Sequence, residues 1–344
     1  MTLFQKLLHL TNYRSPFLRT AVPCAAAAFA LQAAVALPSI PAQSDRFYDA
    51  SGSATFLAVT LLSLYLPSLR ARAAAAAAGL PKPAFPSLLQ GLKGLGAGEG
   101  AGAAGGAGKL GLGLALNWRQ VALSAAVGFW AFRLGTYLFD RILKAGHDSR
   151  FDKIRKSPPQ FAGAFFGQAT WVTLCLMPVI AVNSVPAAVF TAAAAKATVP
   201  EVLGWALFFG GLGFEMVADR QKGKWLDEKR KKIHDEQFMT TGLWTVSQYP
   251  NYFGEVTLWT GIATAAASTL LTNPVQAGLG FSGGVFSKLA TLGLCYVSPS
   301  IVAFLLLKVT GVPLSEKKYD KRYGDRKDYQ EWKKNTPKFF PKLF

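Results

Sequence analysis

Between Gln248 and Glu255 the chain reads Gln-Tyr-Pro-Asn-Tyr-Phe-Gly-Glu, setting amides, phenols and a carboxylate side by side where a long apolar run begins. Polar groups at such a boundary are costly unless they serve a purpose. Pro250 disfavours helix at Tyr249 and fits a first helical turn, so a helix is expected to start here with Asn251 near its N-terminal end. Its unsatisfied N–H groups and positive dipole end suit an anionic ligand such as a nucleotide phosphate. Asn251 and Glu255 lie four apart and share one helical face, with Tyr252 beside them. The plainer reading is a capped membrane helix whose polar first turn sits in the headgroups. A second pair, Glu215 and Asp219, is also four apart at the end of an apolar run, and Arg220, Lys222, Lys224 and Trp225 follow at once. Carboxylates can accept hydrogen bonds from ribose hydroxyls or an adenine amino group, and Lys or Arg can pair with phosphate. Here the plainer alternative is a helix end entering water behind a stop-transfer basic cluster.

The elements that must position these residues are membrane helices. The 344 residues are 51% hydrophobic and 16% charged, and the apolar residues come in blocks instead of amphipathic stripes, which is a membrane composition. The expected fold is all-α, a polytopic integral membrane helical bundle with about seven transmembrane helices. The spans run from about Ala21 to Ile40, Ala54 to Leu69, Gln120 to Leu143, Phe165 to Val185, Glu201 to Ala218, Tyr252 to Leu271 and Phe286 to Val309. The net charge of +18 could suggest nucleic acid, but the basic excess flanks apolar runs, so topology explains it better and no nucleic-acid partner is expected. Arg141 to Lys156, Arg220 to Lys232 and the tail after Val309 are strongly basic, whereas Pro186 to Pro200 and Asn273 to Val285 are nearly neutral. That alternation sets the basic connections on the cytoplasmic side. Cys24, Cys175 and Cys295 lie inside apolar runs and read as small buried hydrophobes, and scattered His9, His147 and His234 give no metal spacing.

Three segments follow from composition. Residues 1–69 form an N-terminal two-span part, whose acid-poor, basic start could also be a secretory signal or an organellar presequence. Residues 70–116 are Ala-, Gly- and Pro-rich and are expected to be a flexible insertion. Its glycines are followed by no Gly-Lys-Ser/Thr and preceded by no strand, which excludes a phosphate loop. Residues 117–344 form the C-terminal membrane domain, whose first span carries Arg133, Tyr137, Asp140 and Arg141 at a depth where charged groups usually face a protein interior.

The stretch from Gly242 to Glu255, Gly-Leu-Trp-x-x-Ser-x-x-Pro-Asn-Tyr-Phe-Gly-Glu, resembles the C-terminal motif of the steroid 5α-reductase-like membrane proteins, especially a branch of unassigned substrate. Phe214 to Lys222, Asp148-Ser149-Arg150-Phe151-Asp152 and the closing Tyr319 to Pro341 segment fit the same branch in the same order. The resemblance covers roughly Asn117 to Phe344. It implies an enzyme that uses NADPH to reduce a carbon–carbon double bond of a hydrophobic, sterol- or isoprenoid-like lipid. It further implies that polar groups at Glu215, Asp219, Asn251, Tyr252 and Glu255, together with Lys222, hold the cofactor, and that a tail carrying Glu316, Tyr319 and Tyr323 closes over it. Those reductases polarise the substrate carbonyl with a Tyr assisted by a Glu from the N-terminal half. Here Trp130 falls at the Tyr position and the partner Glu is unmatched. Tyr137, two turns further along nearly the same face, is the candidate proton donor with Arg133 orienting it; both could equally be structural, hydrogen-bonded groups.

Isoprenylcysteine and phospholipid methyltransferases resemble the same region and bind S-adenosylmethionine partly through Arg-His-Pro-x-Tyr-x-Gly, but this chain has Gln248-Tyr249-Pro250-Asn251-Tyr252-Phe253-Gly254, without the Arg or the His. A non-catalytic membrane protein is the third alternative. Membrane lipids are expected partners and no protein partner is indicated. The endoplasmic reticulum is the expected membrane, with a mitochondrial membrane as the alternative.

Overall fold

The computed structural model describes residues 3–93, 115–146, 148–193 and 197–342, and among these every regular element is helical. Seven long helices account for most of the chain: α1 (Pro16–Ser39), α2 (Tyr48–Ala77), α3 (Trp118–Ala145), α4 (Pro158–Ser184), α5 (Val199–Arg230), α6 (Pro250–Leu270) and α7 (Val285–Phe304). After a π-helical turn at Leu305–Val309 come two shorter helices, α8 (Val312–Tyr323) and α9 (Lys327–Asn335). All of the long helices except α6 are long and apolar enough to cross a membrane. In α6 the hydroxyls of Thr257, Thr260 and Thr264 each donate to the carbonyl four residues back at 2.7, 2.8 and 2.7 Å, so these three hydroxyls are satisfied within the helix. The fold is therefore an all-α integral membrane protein with about seven spans, as the apolar blocks predict. Exposed Phe132, Phe166, Phe209 and Phe286 on these helices suit acyl chains, so the protein contacts membrane lipids.

The chain divides into two compact units, Met1–Glu201 with Ala266–Val297, and Val202–Ala265 with Ser298–Phe344. In the first, α1 packs on α2 and α4, and α2 packs on α3 and α4. Polar side chains join these helices inside the apolar interior. Gln32 donates to Thr55 at 2.8 Å, and Asn183 donates to Ser63 at 2.8 Å and Ser124 at 3.1 Å. Such bonds are each worth about 0.6–2 kcal/mol in a membrane. Trp130 is fully buried, edge-on to Phe56 and Trp171, so the side chain aligned with the missing Tyr is part of the packing. Arg119 at the start of α3 meets Glu201 in two parallel bonds of 2.8 and 3.0 Å.

Two sequence features gain a physical explanation in this unit. The second span was expected to end at Leu69, but α2 continues to Ala77. Arg70 donates to the carbonyls of Leu8, Thr11 and Arg19, and the alanines that follow are the best helix formers. The rest of the expected insertion includes a short helix, Leu88–Lys93, while residues 94–114 lie outside the described residues. The Asp148 to Asp152 motif is a clamp. Asp148 accepts from the Arg150 amide at 2.9 Å and donates its own amide to Asp45 at 2.8 Å, while the Arg150 guanidinium reaches both Asp49 and Asp148. Phe151 is buried against Tyr48 and Phe161. Burial of Asp148 would push its carboxyl up, but the hydrogen bond and charge of Arg150 outweigh this and hold it below the usual carboxylate range.

The second unit is built on a glycine seam. A Cβ added at Gly204 would stand 2.5 Å from the Ala265 amide nitrogen, and one at Gly211 would stand 2.5 Å from that of Leu258. From the other helix, Gly254 and Gly261 meet the amides of Glu215 and Phe208 at 2.6 and 2.4 Å in the same way. Only glycine on both sides lets α5 and α6 approach backbone to backbone over this length.

Candidate functional site

The seam ends at the polar residues. Because Gly254 abuts the backbone of Glu215, the carboxylates of α5 and the first turns of α6 are brought together. Glu215 and Asp219 are 2% and 7% exposed, which is exceptional burial for acids. Asn251, partly buried, donates from Nδ2 to Asp219 Oδ1 at 3.4 Å. Its Oδ1 is buried with no hydrogen-bond partner, an acceptor that a ligand hydroxyl or amine could satisfy. Glu255 and Tyr252 sit partly buried on the same helix. Tyr252 stacks on Tyr249 with ring centres 5.4 Å apart and packs on Gly311, where a Cβ would come within 2.9 Å of its Cε2.

Lys222, one turn beyond Asp219, has its ammonium enclosed by rings. It lies 4.6 Å from the Trp244 centroid, 5.2 Å from that of Trp225 and 5.7 Å from that of Tyr319, with the Tyr319 hydroxyl at 3.3 Å. Trp244 reaches this position because its Nε1 donates to the Ala218 carbonyl at 3.2 Å and Gln221 accepts from the Leu243 amide at 2.9 Å. Gly242, at φ 60°, makes the turn that leads into it.

The tail is laced to the connector that precedes α6. The amide of Gln248 donates to the Pro337 carbonyl at 2.9 Å, and its side chain donates to the carbonyls of Lys333 and Thr336 at 2.9 and 2.6 Å. Ser247 donates to the Phe339 carbonyl at 3.0 Å, and the Lys342 amide donates to Val246 at 2.8 Å. Glu316 pairs with Lys338 at 2.8 Å. Tyr323 is buried beside Phe238 and Tyr329 and donates to the Gln237 carbonyl at 2.9 Å, so its hydroxyl has a place in the packing. Tyr249 is buried, and burial first, then the negative charge of Glu316, raises its phenol, so it stays a neutral donor. Sequence reasoning passed over Trp244, Ser247, Gln248 and Tyr249 as ligand-side or tail-binding residues, although all lie in the 242–255 motif.

Glu215, Asp219, Lys222, Asn251, Tyr252, Glu255, Glu316, Tyr319 and Tyr323 thus all belong to the second unit. Arg133 and Tyr137, both partly buried on α3, belong to the first. A cavity of about 430 Å³ is lined by Leu307, Lys308, Val312, Pro313, Glu316, Lys338 and Phe339. It is large enough for a small ligand but shares with the polar residues above only Glu316 and its partner Lys338, so the acids, Asn251 and Lys222 mark the site better than the cavity does. Among the described residues no group of His, Cys, Asp and Glu is arranged to hold a metal ion.

A family model described as "Protein of unknown function (DUF1295)" matches residues 108–336, well over half of the chain. No curated protein and no solved structure matches it.

Proposed function

Because the chain belongs to the DUF1295 family of membrane proteins, whose function is unknown, its activity has to be read from its site, and we propose an NADPH-dependent reductase. It would act on a carbon–carbon double bond of a hydrophobic, sterol- or isoprenoid-like lipid in the steroid 5α-reductase-like manner, with the endoplasmic reticulum as its expected membrane. The observation that carries this reading is the grouping of buried acids, an unsatisfied amide acceptor and a ring-enclosed ammonium where α5 meets α6. Buried acids at a membrane boundary suit ribose hydroxyls and an adenine amino group, and a lysine suits phosphate.

The residues fit such a cofactor. Asn251 Oδ1 would accept from a ribose hydroxyl, Asp219 would be oriented by Asn251 Nδ2, and the tail held by Ser247 and Gln248 would exclude water. The cofactor supplies hydride when bound. The chain must supply a donor that polarises the substrate carbonyl, and Tyr137, oriented by Arg133, is proposed for it because Trp130 is committed to packing.

The test is calorimetry with NADPH on the folded protein, followed by a screen of conjugated enone lipids for NADPH consumption. Saturable binding and turnover are expected, and Tyr137→Phe should slow turnover by roughly a hundredfold or more while binding is kept. Wild-type turnover in Tyr137→Phe would remove Tyr137 as the acid. Tighter binding of S-adenosylmethionine than NADPH would reverse the assignment to a methyltransferase, and binding of neither would favour a non-catalytic membrane protein.

A further inference from the structure

Lys222 differs from the neighbouring lysines of the second unit in what it lacks. Lys229 also lies over the Trp225 ring, at 4.8 Å, but its ammonium donates to the carbonyls of Glu236 and Gln237 at 2.7 and 3.0 Å. Lys338 pairs with Glu316. Lys222 has one polar partner, the Tyr319 hydroxyl, and no carboxylate among the described residues within ion-pair distance. An ammonium has three donors and no acceptor, so two remain to be directed at something else. A cation taken out of water without an acid beside it is unfavourable, and an incoming anion would relieve that cost.

The walls around it say what kind of anion. Trp225 is anchored through Nε1 to Glu236 at 2.8 Å and Trp244 through Nε1 to Ala218, so both buried indoles spend their one donor on the scaffold and back the ammonium, while Tyr319 is the partly exposed ring beside it. A partly exposed aromatic ring next to one ammonium matches a ligand in which a planar base and a phosphate monoester are neighbours. The pyrophosphate of a dinucleotide carries no ring of its own, and helix N–H groups such as those opening α6 already suit it. A phosphate monoester carries about −1.5 to −2 charges at neutral pH and is the stronger partner for a single lysine.

Building on the NADPH reading above, we propose that Lys222 reads the 2′-phosphate of the adenosine end of the cofactor, with Tyr319, the partly exposed ring of the three, beside the adenine. Lys222 is then the residue that separates NADPH from NADH.

The experiment uses the full chain in detergent and two ligand pairs that differ only by the 2′-phosphate: NADPH against NADH, and adenosine 2′,5′-bisphosphate against AMP. Calorimetry should give roughly 10- to 100-fold tighter binding for the phosphorylated member of each pair, the range of a hydrogen bond to a charged group. Lys222→Gln should bring that ratio to about one, and Lys222→Arg should keep most of it. As a measurement that needs no variant to fold, bisphosphate but not AMP should protect the Lys222 amine from acylation, read by mass spectrometry. An unchanged ratio in folded Lys222→Gln, or equal protection by the two nucleotides, overturns the assignment. If wild type binds NADPH and NADH equally, Lys222 loses this role while the dinucleotide reading stands. If the bisphosphate binds through Lys222 but neither dinucleotide does, the reductase reading falls and Lys222 keeps its role. Binding of none of the four overturns both.

Discussion

Arg119 and Lys222 are two cations withdrawn from water, and the chain treats them differently. Arg119 is 3% exposed, and its fork is closed by Glu201, itself 2% exposed, through two parallel bonds. Lys222 has three rings, one phenol and no acid. A guanidinium presents a fixed planar fork that a carboxylate of the same chain can match permanently, whereas an ammonium is a compact charge that accommodates a partner arriving from outside. In the first unit the buried charge is neutralised by the fold itself and joins α3 to the start of α5. In the second it is left for a ligand, in the same unit as Asn251, whose Oδ1 is also unsatisfied.

The largest expected effect comes from breaking the closed pair. Arg119→Ala leaves the Glu201 carboxylate buried alone, so unfolding measured in detergent should show a loss of about 3–5 kcal/mol. Lys222→Met removes a desolvated charge that no acid offsets, and its melting temperature should match or exceed that of wild type. Equal destabilisation by the two substitutions would erase the contrast between them.

A smaller effect separates two glycines of α5 and α6. Gly254→Ala must push a methyl group into the Glu215 backbone, 2.6 Å away, and should cost about 1–3 kcal/mol while weakening NADPH binding as the acids move from Asn251. Gly213→Ala points into open space and should gain about 0.5–1 kcal/mol from helix propensity with NADPH binding unchanged. If Gly254→Ala binds NADPH as wild type does, the tight crossing is not what positions the site.

These contrasts also mark how far the sequence could be read. The apolar blocks located every long helix because membrane length and composition act on one helix at a time, and Pro250 located the start of α6 for the same local reason. The pairing of Gly204 and Gly211 with Gly254 and Gly261 was not legible, because small residues reveal a crossing only once it is known which helices meet. The cage at Lys222 was hidden similarly: Trp225 lies one turn along the same helix, but Trp244 and Tyr319 come from distant segments. Arg70 misled because an alanine-rich stretch reads as a linker when its neighbours Leu8, Thr11 and Arg19 are not in view.

The smallest effect tests the intermediate case, Arg150, which is paired with acids as Arg119 is but is 37% exposed. The Asp148 carboxyl is held below its ordinary value because the hydrogen bond and charge of Arg150 outweigh burial. A lowered folded-state value means stability that is present above the unfolded-state value of about 3.9 and is lost as the pH falls through the lower folded value. Asp148→Asn keeps the side-chain oxygen that accepts from the Arg150 amide but replaces the one that accepts from the Arg150 guanidinium, so the charge and its ion pair are lost together. At neutral pH the variant should be less stable by a few tenths to about 1 kcal/mol, the range of partly exposed ion pairs. As the pH falls from about 4 through the lower folded-state value the two melting curves should converge, because wild-type Asp148 is then protonated as well. A gap that stays constant down to pH 3 would mean that the carboxylate charge contributes nothing at this clamp, and that Arg150 is held by Asp49 alone.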